Sequence, residues 1–166
     1  MKSHLYQKTL FDVAALVFER AAFAVVDVPP GPPAGAPGED IVTVVTGFDG
    51  PLSGRVAISA PEALARLLAA SMLGEDDNDP DAARHARDAL GELCNMVCGN
   101  LLPRLTGHAA EFRIDPPILV DDGCLNRIAG EYAPSLTWQT CLQVEDSDVR
   151  VAFMLHAEAK EAEAHD

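Results

Sequence analysis

The sequence predicts an α+β fold: a mainly antiparallel sheet packed on one face by two long helices. Three features of its patterning carry that prediction. Apolar residues recur at helical spacing in two long segments, about residues 5–22 and 81–105. β-Branched-rich runs come in two adjacent pairs, each joined by a short turn. Helical and extended segments fall in blocks, which disfavours a parallel sheet built from βαβ units.

The first helix follows from Leu10, Val13, Ala14, Val17 and Ala21, which share one face between Leu5 and Ala22. Phe23 to Val28 then reads as a short extended segment. Pro29 to Gly38 contains only Pro, Gly and Ala, and such a run sustains neither a helix nor a sheet ladder. Ile41–Phe48 and Leu52–Ser59 form a hairpin around Asp49-Gly50-Pro51. Pro61 and Glu62 suit the first turn of a helix that ends at Gly74. Glu75 to Pro80 is an acidic, turn-rich loop without the spacing of a calcium loop. The second long helix follows, then a strand near Ala109–Ile114, a break at Pro116-Pro117, and an extended piece at Ile118–Val120. Ser135–Val144 and Val149–His156 are the last strands, joined across Glu145–Asp148. The expected organisation is one domain over residues 1–158 with a charged tail at 159–166.

Bulk composition excludes several functions. The formal net charge is −14, and the 12 Lys and Arg form no cluster, so nucleic acid and anionic membrane are poor partners. No run approaches the roughly 20 apolar residues of a membrane-spanning helix. The polar start of the chain is unlike a secretory signal. Four scattered cysteines fit free thiols in a reducing cytosol better than a disulfide scaffold. A cytoplasmic location is therefore expected.

The segment richest in chemistry is Asp88-Ala-Leu-Gly-Glu92-Leu-Cys-Asn95-Met-Val-Cys-Gly99-Asn100. At about 100° per residue, Asp88, Glu92, Asn95 and Gly99 fall within roughly 60° of one another. Ala86, Leu90, Leu93, Cys94, Val97 and Leu101 occupy the opposite side. The polar stripe holds carboxylates and a carboxamide in place of the usual Lys/Glu mixture. Gly91 and Gly99 flank it, although each Gly inside a helix costs about 1 kcal/mol relative to Ala. Bare backbone there suggests close approach by another molecule. Asn95 is also a poor helix former for a mid-helix position.

The pattern Asp-x-x-x-Glu-x-x-Asn followed by Gly-Asn resembles the signature helix of the CheX/CheC family of chemotaxis phosphatases. Ser53-Gly54-Arg55-Val56-Ala57-Ile58-Ser59, Pro61-Glu62, Leu73-Gly74 and Phe112-Arg-Ile-Asp-Pro116-Pro117 resemble the family's flanking segments. The motif occurs once, as in CheX. The resemblance implies two long helices against a sheet, a homodimer, and a phosphorylated CheY-like response regulator as substrate. It further implies that Asn95 orients the attacking water and that Glu92 engages the regulator's Lys, with Asp88 in a supporting role. No cofactor is expected in this chain; a divalent metal, Mg, is expected in the receiver's own active site. Two alternatives stay open: a receiver-binding adaptor without turnover, and a structural dimerising domain of flagellar-switch type.

Other residues read more plainly. Cys94 and Cys98 lie four apart but lean toward the core, with no adjacent His, and are expected to be structural thiols. No metal site is expected. His85 reads as an exposed surface residue, and Trp138 and Phe153 as core or dimer-contact residues.

Overall fold

The structure is a computed structural model describing residues 2–32, 40–74, 80–120 and 124–157. The acidic loop from 75 to 79, the second half of the Pro/Gly-rich loop from 33 to 38, the domain end at 158 and the tail 159–166 lie outside these residues.

Helix α1 (Lys2–Ala21) buries Leu10, Val13, Ala14 and Val17 of the expected stripe; Phe18 is buried with them, while Ala21, in the last turn, is only half-buried. The extended segment after it shrinks to a two-residue strand, β1 (Val26–Asp27). Phe23 explains the loss, because its φ of 56° puts a turn where a ladder would begin. Strands β2 (Ile41–Asp49) and β3 (Gly54–Pro61) form the predicted hairpin, registered from Ile41↔Pro61 to Phe48↔Gly54. Pro61 belongs to the end of β3 and precedes helix α2 (Glu62–Leu73) with an extended ψ of 138°, so it caps the helix from outside its first turn. Gly74 closes α2 in the left-handed region at φ 66°, donating its N–H to the Ala70 carbonyl.

Helix α3 (Ala82–Thr106) is followed by β4 (Arg113–Ile114) and β5 (Ile118–Val120). The strand expected from Ala109 is thus only two residues long. Its neighbour Phe112 instead packs a ring edge-on against Phe48, centroids 6.2 Å apart. Helix α4 (Cys124–Gly130) then precedes β6 (Thr137–Val144) and β7 (Ser147–Leu155), the second predicted hairpin.

The sheet runs β1-β6-β7-β3-β2, and both β4 and β5 pair with the far edge of β2 at different heights. Every pairing is antiparallel. One face carries the main core. There Leu10 and Phe18 of α1, Leu64 and Leu68 of α2, and Leu90, Leu93 and Leu101 of α3 meet Val44, Val56, Ile58, Val151 and Phe153. A chain of rings, Tyr6, Trp138, Phe153 and Phe48, crosses that face with centroids 4.8 to 5.7 Å apart. Trp138 and Phe153 are core residues here. The second face is partly covered by α4, whose Leu125 and Ile128 pack with Tyr132 on Val45, Ala57, Ala152 and Met154. Sequence periodicity had no purchase on α4, since seven residues with two apolar anchors are too few to show a period. Among the described residues, no helix is long and apolar enough to cross a membrane.

Candidate functional site on helix α3

Helix α3 turns Leu93, Cys94, Val97, Cys98 and Leu101 fully into the core. That burial fixes the helix's rotation, so the residues at the opposite phase face outward. Asp88 and Glu92 are exposed, and Asn95 is half-buried. These three line one open groove of about 370 Å³. Arg84, Arg87 and Gly91 of the same helix join them, with Val44 of β2 at the floor. The far wall is Pro117, Ile118 and Leu119 at the β5 edge. Ile118 and Leu119 are 59% and 50% exposed, so the groove has an apolar rim beside its charges. Among the described residues, Asp88, Glu92, Arg84 and Arg87 have no ion-pair partner.

Asn95 is anchored from below. The hydroxyl of Thr46, a fully buried residue of β2, donates to Asn95 Oδ1 at 2.9 Å. A charge-free hydrogen bond thus holds the carboxamide of a half-buried residue that still lines the groove.

The two glycines play different parts. A Cβ on Gly91 would sit 3.0 Å from Pro117 Cγ and 3.2 Å from Pro117 Cβ. At Gly91 the close approach is an internal one, bringing the segment before β5 against α3, and the residue also lines the groove. Gly99 is exposed, and its nearest neighbour would be Ile114 Cδ1 at 3.9 Å. Gly99 thus leaves backbone exposed at the end of the stripe.

The thiols are structural. Burial pushes the Cys94 thiol up to about 12, against the smaller opposing effect of hydrogen bonds from Thr46. Burial likewise raises Cys98 to about 12, with the charge of a Cys94 thiolate adding to it. Both stay protonated at neutral pH, as thiols packed into a core do. Cys94 spends its proton on the Val56 carbonyl at 3.5 Å. His85 is half-buried, not fully exposed, because its side of α3 is partly covered, and it does not line the groove. Among the described residues, no group of three or more His, Cys, Asp or Glu is placed to hold a metal ion.

Sequence reasoning missed Thr46, Arg84, Arg87 and the β5 wall. Two of these had a signal. Arg84 stands one turn before Asp88 on the same helical projection, and Thr46 is the polar member of the alternating set Val42, Val44, Thr46 and Phe48. Pro117, Ile118 and Leu119 reach the groove through tertiary pairing of β5 with β2, which no local pattern encodes.

Residues 42–141 match the family model described as chemotaxis phosphatase CheX. Among solved structures, the chain resembles a chemotaxis protein CheX from Desulfovibrio desulfuricans at 20% identity and a TM-score of 0.66, covering 91% of this chain and 99% of that one. It resembles a chain of the CheX–CheY–BeF3–Mg2+ complex from Borrelia burgdorferi at 19% identity and a TM-score of 0.65, covering 92% and 98%. A CheC-like superfamily protein from a Shewanella species is similar at 20% identity and a TM-score of 0.59, covering 92% and 97%. At such identities these likenesses establish the fold. No curated protein sequence matches the chain at a significant level. The family match spans more than half of the residues and takes in nearly all of the β2–β3 hairpin and the whole of α3, so the chain belongs to the chemotaxis phosphatase CheX family.

Proposed function

We propose that this protein accelerates hydrolysis of the aspartyl phosphate on a CheY-like response regulator by laying α3 over the regulator's active site. The observation that carries the reading is the anchored carboxamide of Asn95, which lines a groove with Glu92 and Asp88, two carboxylates without an ion-pair partner among the described residues. The family match and the likeness to the CheX chain of a CheX–CheY complex support the choice of partner.

An aspartyl phosphate is already activated, so the work left is to hold a water in line with the leaving carboxylate. The water oxygen forms a bond to phosphorus while the bond from phosphorus to the Asp oxygen breaks. The carboxylate leaves with the electron pair, and the water's surplus proton passes to phosphate or bulk water. Asn95 can accept a hydrogen bond from that water at the free lone pair of Oδ1, while its NH₂ donates to a phosphoryl oxygen. Glu92 pairs with the regulator's Lys ammonium, which sets register and contributes affinity once water leaves the contact. Asp88 supports that docking. The Mg expected in the receiver's own site offsets phosphoryl charge there, and this chain needs no cofactor of its own. The reading places the protein in the cytoplasm with its regulator. With a net charge of −14, long-range attraction to an acidic receiver is weak, and local complementarity must carry docking.

The test is the decay of a phosphorylated receiver in the presence of substoichiometric protein. Acceleration supports catalysis; slowed decay would identify a phosphoryl-protecting adaptor instead. Asn95→Ala is expected to lose about a hundredfold or more of the acceleration in a sample shown to be folded, with a somewhat lower thermal midpoint because the buried Thr46 hydroxyl loses its acceptor. Full activity of that variant on the cognate regulator would overturn the assignment.

A further inference from the structure

We infer that Thr46 is a positioning residue whose hydroxyl determines which end of the Asn95 carboxamide faces the groove. This rests on the phosphatase reading for its effect on rate, but the geometry stands by itself. Along β2, the side chains directed at the helices are Val42, Val44, Thr46 and Phe48, and Val42, Val44 and Phe48 belong to the main core. Thr46 is 0% exposed, opposite Val56 in the hairpin register. Valine has nearly the same shape and would avoid burying a hydroxyl, which without a partner costs about 1–3 kcal/mol. The hydroxyl has a partner, Asn95 Oδ1 at 2.9 Å.

A carboxamide is nearly symmetric in shape and opposite in function at its two ends. A half-turn about its last bond exchanges an acceptor for two donors. Thr46 separates the two orientations energetically. In the observed one, its O–H donates to a carbonyl oxygen. In the flipped one, Asn95 Nδ2 would donate to Thr46 Oγ1, and the hydroxyl proton would be left to its other neighbour, the Cys94 sulfur. Sulfur is a weak acceptor, so the flipped state is the poorer one. Thr46 therefore occupies one lone pair of Oδ1 and leaves the other, together with the NH₂, toward the groove. Consecutive residues of α3 meet at this single hydroxyl: Cys94 on the sealed side, Asn95 on the open side.

Thr46→Val keeps the shape and removes the proton. We expect kcat for receiver dephosphorylation to fall about fivefold to tenfold, with KM within about twofold of the parent, because Glu92 and the groove rim are untouched. Thr46→Ser should restore kcat. In an Asn95→Ala background, Thr46→Val should cause no further loss, the non-additivity expected when one residue acts through the other. A second readout needs no activity: the side-chain NH₂ of Asn95 should be rigid by ¹⁵N relaxation in the parent and in Thr46→Ser, and mobile in Thr46→Val. An unchanged kcat or an equally rigid amide in Thr46→Val would overturn the inference. So would a Thr46→Ser variant that behaves like Thr46→Val. If the parent accelerates no receiver while the amide loosens as described, the phosphatase reading fails and the positioning role of Thr46 holds.

Discussion

The core face and the groove face of α3 are made from the same 25 residues, yet they answer to different physics. On the core face, Leu93, Cys94, Val97, Cys98 and Leu101 are wholly removed from water, and even the thiols are pushed to about 12 and kept neutral. On the groove face, Asp88 and Glu92 stand in solvent with no partner among the described residues, so their charges are available to another molecule. Asn95 lies between these regimes, half-buried and tied to a buried hydroxyl. The contrast teaches that rigidity and reactivity are supplied from opposite sides of one helix. The sealed side sets the phase of α3, and that phase aims the open side.

Substitutions on the two faces should therefore separate stability from activity. The largest expected effect is on the core side. Leu93→Ala removes a fully buried side chain between α3 and the sheet and should cost about 2–5 kcal/mol of stability. Urea unfolding measures that loss, and dephosphorylation per folded molecule should stay near the parent value at low temperature. A large activity loss in a sample shown to be folded would mean the two faces are not separable. On the groove side, Glu92→Gln keeps the shape and removes the charge that docking uses. We expect KM for the phosphorylated regulator to rise about tenfold, equivalent to about 1.4 kcal/mol, with kcat and the unfolding midpoint little changed. A fall in kcat at constant KM would move Glu92 from docking to the chemical step.

Much of this contrast was legible before any coordinates. The apolar phase of α3, the stripe of Asp88, Glu92 and Asn95, and both hairpins follow from periods of 3.6 and 2 that act within a few residues. What stayed hidden depends on distant parts of the chain meeting. The groove's far wall exists because Ile118, Leu119 and Val120 register against Val45, Val44 and Thr43, a pairing that nothing in residues 116–120 announces. The hydrogen bond from Thr46 to Asn95 joins residues 49 positions apart. Helix α4 escaped notice because it is too short to display a period.

The two glycines give the smallest and finest test of the same division. Read as a pattern, Gly91 and Gly99 are equivalent flanks of the stripe, and in an exposed helix either one replaced by Ala should add up to about 1 kcal/mol of stability. The surroundings break that equivalence. At Gly99 an added methyl meets only Ile114 Cδ1 at 3.9 Å, an ordinary contact, so Gly99→Ala should realise most of that gain. At Gly91 the methyl arrives 3.0 Å from Pro117, so the segment leading into β5 must yield by a few tenths of an ångström and the helix gain is offset. Gly91→Ala should thus show little or no net stabilisation in urea, while shifting the wall that carries Ile118 and Leu119 and weakening regulator binding. Equal stabilisation by both substitutions would mean that Pro117 gives way freely and that the groove is shaped by α3 alone.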